Sequence, residues 1–257
     1  MSALEESHVR HWPAVVKPQS EGDAHILLAD LSGYTGFLRD DTVTLRHASY
    51  IVSELLAALI GRAEAPLRPE KLEGDAVLFV APMAPNGAGE AAVGRSLFGF
   101  HAAFDRRRSE LAACNSCPCE ACTSLDRLEL KVVGHFGRVL RHKVDRFDEL
   151  AGFDLIVAHR LLKNSVAAAR YLLLSEAAWE RLKPDRPLVV ARHVEQCDGV
   201  GAVPVVVLEG GWDELAMPAP AAGRWARLAD FAIKHLMLLP FAGGLARRGA
   251  HRALPHP

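Results

Sequence analysis

"HILLADLSGYTGFLRD", residues 25–40, carries an apolar run, Ile26 to Ala29, onto an aspartate and then into a small turn at Ser32-Gly33. A short apolar run bounded by turn residues predicts a buried strand. Asp30 therefore stands where that strand meets solvent. A carboxylate there has two uses. It can cap the helix that follows by accepting backbone N–H bonds. It can also sit at the mouth of a site whose exposed N–H groups hold phosphate. The neighbouring segments decide between them.

Residues 1–23 are polar and irregular, the strand occupies 24–30, and 42–63 reads as a long helix with an apolar face. "RPEKLEGDAVLFVAP" (68–82) has the pattern of a hairpin turning at Glu73-Gly74-Asp75, with Ala76 to Val80 as its apolar second arm. A second amphipathic helix covers 87–111 and a cysteine-rich loop 114–122. Strand, turn and strand are expected over 127–140, a helix over 152–165, a strand over 171–175 and a short helix over 176–182. Two closing strands fall within 187–196 and 203–211. Hairpins alternating with helices in this order predict an α+β fold, with a ferredoxin-like βαββαβ core and a mostly antiparallel sheet flanked by helices. The domain is expected over 24–210. After it come a linker, "MPAPAAG" (217–223), and a basic amphipathic extension within 211–257.

Half of the 257 residues are hydrophobic, enough for one sizeable core with appendages. Lys plus Arg is 30 against 31 for Asp plus Glu, so no global positive charge points to nucleic acid as a partner. The extension is locally basic, with Arg224, Arg227, Lys234, Arg247, Arg248 and Arg252 against Asp230. Its apolar run is broken by Lys234, His235 and Pro240, so it is too short and too polar to span a bilayer. Such a helix can lie on a membrane surface, pack on its own domain or self-associate. The N-terminus shows no secretory signal, and the clustered cysteines suit a reducing compartment. A cytoplasmic location follows, with a peripheral membrane association open.

Asp75 gives Asp30 a companion. Each alone is explained by local needs, a cap or a turn residue. In a βαββ order, however, the first strand lies beside the hairpin, so both carboxylates converge at one sheet edge. Paired carboxylates with open positions suit two divalent cations, Mg²⁺ or Mn²⁺, holding phosphates.

In this context the chain resembles the class III adenylyl and guanylyl cyclases. "LLADLSGYTGFL" is similar to their first metal-binding segment, of the form FADIxGFTxL, and "KLEGDAVLF" to their second, KxxGDxxxAxF. "LKVVGHFGRV" resembles LRxGIHxGxV, "GFDLIVAHRL" resembles GxxVNxAARL, and "YLLLSEAAWERL" matches the strand and helix that follow. The resemblance runs from about Ala24 to Glu209.

The resemblance implies a role for each matching position. Asp30 and Asp75 would bind the metals with the Leu31 carbonyl, and segment 31–35 (Leu31, Ser32, Gly33, Tyr34, Thr35) would wrap the triphosphate with backbone N–H groups. Lys71 and, on an ungapped alignment, Glu149 would read the purine of ATP or GTP. Arg160 would neutralise charge on the transferred phosphate across a two-fold homodimer. One helical turn before it the family keeps a ribose-orienting asparagine, where this chain has Ile156, which offers no donor or acceptor. Asp154 and His159 point to other faces. Two functions follow: a cyclase of impaired turnover, or a nucleotide- and metal-binding regulator without turnover. The cysteine cluster departs from the family.

That cluster is "CNSCPCEAC", with Cys114, Cys117, Cys119 and Cys122 spaced C-x₂-C-x-C-x₂-C. Four thiolates suit tetrahedral Zn²⁺. All four on one ion from nine residues would be tight, so three with a further ligand, His101 or His135, is the alternative. A redox switch or an Fe–S centre is the remaining reading.

Overall fold

The computed structural model describes residues 18–37, 42–183, 188–210 and 223–236. The first strand, β1 (Pro18–Ser32), leads to a single helical turn, α1 (Tyr34–Phe37), and the long helix α2 (Thr42–Arg62). The hairpin is β2 (Arg68–Glu73) and β3 (Ala76–Pro82), followed by α3 (Glu90–Cys114). The cysteine segment contains a short helix, α4 (Glu120–Thr123). Then come β4 (Glu129–Val144), β5 (Phe147–Ala151), α5 (Phe153–Leu161), β6 (Tyr171–Ser175) and α6 (Glu176–Leu182). Strands β7 (Ala191–Cys197) and β8 (Gly201–Leu208) close the sheet, and α7 (Arg224–Leu236) ends the described chain.

The strands form one sheet in the order β2-β3-β1-β4-β6-β8-β7, with β5 paired to β4 off this path. Among the described strands only β4 and β6 pair in parallel. This is the expected α+β architecture. Strand β1 is buried on both faces, because successive side chains point to opposite sides. Leu27, Ala29 and Leu31 join a core cluster with Ile51, Leu55 and Leu59 of α2 and Leu97, Phe100 and Phe104 of α3. Ile26 and Leu28 pack with Ala158 of α5 on the other face. Helices α2, α3 and α6 thus cover one side of the sheet and α5 the other.

Two expectations about β1 and β4 need correction. β1 begins at Pro18, inside the stretch read as irregular, because β4 is long enough to pair with it out to His142. The residues 20–23 are exposed on this ribbon, so they carry no apolar alternation to read. Residues 129–144 form one continuous strand, not strand, turn and strand; the turn comes at Asp145, whose φ is 56°. The glycines that suggested a turn are needed for close approach. A Cβ on Gly134 would lie 2.4 Å from the Leu174 side chain, and one on Gly137 would lie 2.1 Å from the Asp154 carboxyl group.

Helix α5 ends at Leu161 rather than 165, and Asn164 turns back to donate to the Leu161 carbonyl at 2.7 Å. Residues 1–17, the segment 211–222 holding most of the expected linker, and the tail past 236 with Arg247, Arg248 and Arg252 lie outside the described residues. Among the described residues no helix is long and apolar enough to cross a membrane.

Candidate functional site

The sheet register brings Asp30 and Asp75 to one edge. Asp30 ends β1 opposite Ala76, the residue after Asp75, and the Leu31 amide donates to the Asp75 carbonyl at 3.2 Å. Burial raises the Asp75 pKa above the ordinary carboxylate range, and the Asp30 charge raises it further. Opposite Asp30 on β4 stands Lys131, whose Nζ lies 2.9 Å from the Asp30 carboxylate. Burial works against that ammonium, but the hydrogen bond and charge of Asp30 outweigh it and hold the lysine pKa above its ordinary value. Lys131 was not anticipated from the sequence, since only the register shows which β4 residue faces Asp30.

Next to the carboxylates, Gly33 takes φ 86°, and a Cβ there would lie 2.5 Å from the Arg127 carbonyl oxygen. Tyr34 follows at the start of α1, with its phenol pKa raised by burial and by Asp75. Ser32 ends β1 opposite Glu129, and Thr35 lies in α1. The Leu31 N–H is spent on Asp75, so it cannot serve phosphate as expected of segment 31–35; the N–H groups that remain begin after it.

Lys71 of β2 and Glu149 of β5 meet as an ion pair at 3.3 Å. They line a cleft with Glu73, Leu78, Leu150 and His159. His159 was expected on an unrelated face. It reaches this cleft by pairing with Glu73 at 3.0 Å, while its Nδ1 bonds the Leu155 carbonyl.

Arg160 is set apart. Its ionic partner is Asp198, at 3.9 Å in the turn between β7 and β8, rather than either carboxylate. Ile156 and Phe153 precede it at helical spacing on α5 and are 51% and 59% exposed. An apolar, solvent-facing stripe thus leads up to the arginine. Asp154 is structural: it accepts from the Arg138 amide at 2.7 Å and lies 3.0 Å from Nε2 of His135, pinning the start of α5 onto β4.

The cysteine segment does gather, with a different fourth member. Donor atoms of Cys117, Cys119, Cys122 and His47 all lie within 4.8 Å of one another, a group able to hold a metal ion. Cys114, the last residue of α3, is outside it. Neither expected histidine reaches it. His101 is fully buried, bonds the Leu130 carbonyl, and has its pKa lowered to about 4 by burial. His135 is held between Ser175 and Asp154. His47 sits in α2, far from the cysteines in sequence, so no spacing pattern could have flagged it. Burial of Cys122 pushes its thiol up to about 12.

Helix α7 covers this group. Its buried residues are Asp230 and Lys234, while Trp225, Leu228, Phe231 and Leu236 are exposed. The helix buries its own Asp230–Lys234 ion pair and turns its apolar side outward, the reverse of the usual amphipathic arrangement.

Comparison with known proteins bears on the family and the fold. Residues 52–171 match the family model described as a protein of unknown function (DUF2652). The chain is 32% identical over 150 residues to the "Uncharacterized protein Rv2561/Rv2562" of Mycobacterium tuberculosis, covering 58% of this chain and 69% of that protein. Among solved structures, a bacterial light-regulated adenylyl cyclase superposes with a TM-score of 0.55 at 16% identity, over 88% of this chain and 60% of that one. The chain therefore spans about three fifths of that cyclase's length. The adenylyl cyclase CyaB from P. aeruginosa gives 0.52 at 14% identity, over 75% of this chain and 96% of that one. The guanylate cyclase domain of RhGC from Catenaria anguillulae, in complex with GTP, gives 0.53 at 15% identity, over 73% and 97%. The fold is that of nucleotide cyclase catalytic domains.

Proposed function

We propose that this chain, which belongs to the family of the mycobacterial protein Rv2561/Rv2562, is a metal-dependent nucleoside-triphosphate-binding protein that acts as a homodimer and retains at most a slow cyclase activity. The observation that carries this reading is the meeting of Asp30 and Asp75 at one sheet edge, where burial and then the Asp30 charge make the Asp75 charge costly to keep. Two carboxylates and the Leu31 carbonyl form a hard-oxygen donor set that fits Mg²⁺ or Mn²⁺. Lys131 already offsets part of the negative charge, so the edge does not depend on a metal for all of its compensation. When bound, the metals would neutralise phosphate charge and acidify the attacking ribose hydroxyl.

The chain's own residues would do the rest. Lys71 and Glu149 would read the purine edge, their mutual ion pair giving way to the base. Backbone N–H groups from Ser32 to Thr35 would hold phosphate, with Gly33 supplying the turn. Arg160 would neutralise the transferred phosphate at the partner's metal edge, because in its own chain it pairs with Asp198. Phe153 and Ile156 would pack against the second copy. Little covalent work falls to protein groups in such a reaction, so position and charge decide the rate.

A second reading is favoured by Ile156: the site binds nucleotide and metal but does not turn over, and the protein is a regulator. One experiment separates the two. Purified protein is incubated with Mn²⁺ or Mg²⁺ and ATP or GTP, beside Asp75→Asn. Cyclic product and pyrophosphate in the wild type alone support the cyclase. Metal-dependent nucleotide binding without product supports the regulator. Neither binding nor product discards both.

A further inference from the structure

We propose that His47, Cys117, Cys119 and Cys122 form a closed, tetrahedral Zn²⁺ site, and that the loaded site fastens α7 to the domain. The spacing of the donors carries the first half. His47 Nδ1 lies 3.4 Å from the sulfur of Cys119, 3.5 Å from that of Cys117 and 3.7 Å from that of Cys122. A tetrahedral ion with bonds of about 2.3 Å to sulfur and about 2.0–2.1 Å to nitrogen has nitrogen–sulfur edges of about 3.5–3.6 Å. One imidazole nitrogen lying 3.4–3.7 Å from three sulfurs is the outline of that polyhedron. An ordinary hydrogen bond would single out one sulfur.

The surroundings also fit a metal. The Nε2–H of His47 donates to the Lys234 carbonyl at 3.3 Å, which leaves Nδ1 with its lone pair towards the sulfurs. Metal-ligating imidazoles are typically fixed this way by a carbonyl or carboxylate on the far nitrogen. Asn115 shapes the loop. Its amide donates to the carbonyls of Cys117 and Cys122 at 3.1 and 3.0 Å and accepts from the Cys117 amide at 3.0 Å. Three soft sulfurs with one imidazole select Zn²⁺ over Mg²⁺ or Ca²⁺, and four protein donors leave no open position, so the role is structural.

The second half rests on α7. Its contacts with the site are polar: Lys234 Nζ to Asn115 at 3.0 Å, Ser116 to Asp230 at 3.3 Å, and the Lys234 carbonyl to His47. Lys234 is 2% exposed and pairs with Asp230 at 2.9 Å. Three thiolates and one Zn²⁺ carry a net charge of minus one, and the buried Lys234 ammonium lies beside it within its pair with Asp230. Loading therefore orders the residues that α7 grips.

The full chain, purified without chelator, is expected to contain about one Zn²⁺ by mass spectrometry. Cys114→Ser should keep it, whereas Cys119→Ser and His47→Ala should each bind at least about tenfold more weakly. Because these variants can fail to fold, wild-type protein stripped and reloaded with Co²⁺ gives an independent reading: intense visible bands of a tetrahedral sulfur-rich centre. Hydrogen exchange in 224–236 should slow on reloading. A folded chain that holds no stoichiometric zinc and gives no tetrahedral cobalt spectrum overturns the site. So does loss of metal in Cys114→Ser with retention in His47→Ala. Exchange in 224–236 indifferent to metal overturns the fastening. None of these readings uses nucleotide, so they stand or fall apart from the cyclase reading.

Discussion

Asp75 holds its proton more tightly in the folded chain than in the unfolded one, because burial and then Asp30 disfavour its charge. A carboxyl with a raised folded pKa contributes stability that is fully present below its unfolded pKa and is lost as pH rises through the folded value. The metal-free chain is therefore expected to lose a component of stability as pH climbs from the ordinary carboxylate range to that raised value. Asp75→Asn should remove this slope and raise the neutral-pH Tm of the metal-free protein. Mn²⁺ at about 100 times its Kd should stabilise the wild type by about 2.7 kcal/mol and leave Asp75→Asn unmoved; thermal scans with and without metal check both. Gly33 makes a different prediction. With φ 86° and a Cβ position 2.5 Å from a carbonyl oxygen, Gly33→Ala should cost about 1–3 kcal/mol or more in urea unfolding. Asp30, Gly33 and Asp75 were legible because strand end, turn and hairpin each leave a local signature. Lys131 and His47 were not, because a register and a helix–loop contact join residues that no short window contains.

At the scale of elements, the order of strands and helices could be read from apolar runs and turn residues, and the α+β layout followed from it. The turn misread within β4 has a specific cause. Gly134 and Gly137 suggested a turn, yet glycine in a strand also marks a place where another group approaches closely, here Leu174 and Asp154. Sequence alone cannot separate these two uses. Helix α5 offers the sharpest test at this scale. Its residue 156 is exposed on the stripe that leads to Arg160, so Ile156→Asn replaces an apolar surface side chain and should not disturb the core. If turnover is limited by the missing amide, Ile156→Asn should raise the rate of cyclic nucleotide formation by roughly 10²–10³. An unchanged rate would place the block elsewhere in the site, and would strengthen the regulator reading.

For the whole molecule, the decisive question is whether the halves of the site belong to different chains. Lys71, Glu149 and the carboxylates gather around β1, β2 and β5, while Arg160 points to the turn joining β7 and β8. A single chain thus offers a place for base and metal without the arginine. A two-fold dimer through α5 would bring in the partner's arginine and would cover Phe153 and Ile156 at the same time. Phe153→Asp should then shift the protein from dimer to monomer in light scattering and abolish any turnover while leaving the fold intact. Complementation is more demanding. Asp75→Asn and Arg160→Ala should each be inactive alone, because every homodimer then lacks one half of both sites. Mixed in equal amounts with free exchange, half of the dimers would be mixed, and each would carry one intact site of two. About a quarter of wild-type activity should return. If Arg160 instead acted within its own chain, each mixed dimer would hold only damaged sites, and mixing would restore nothing.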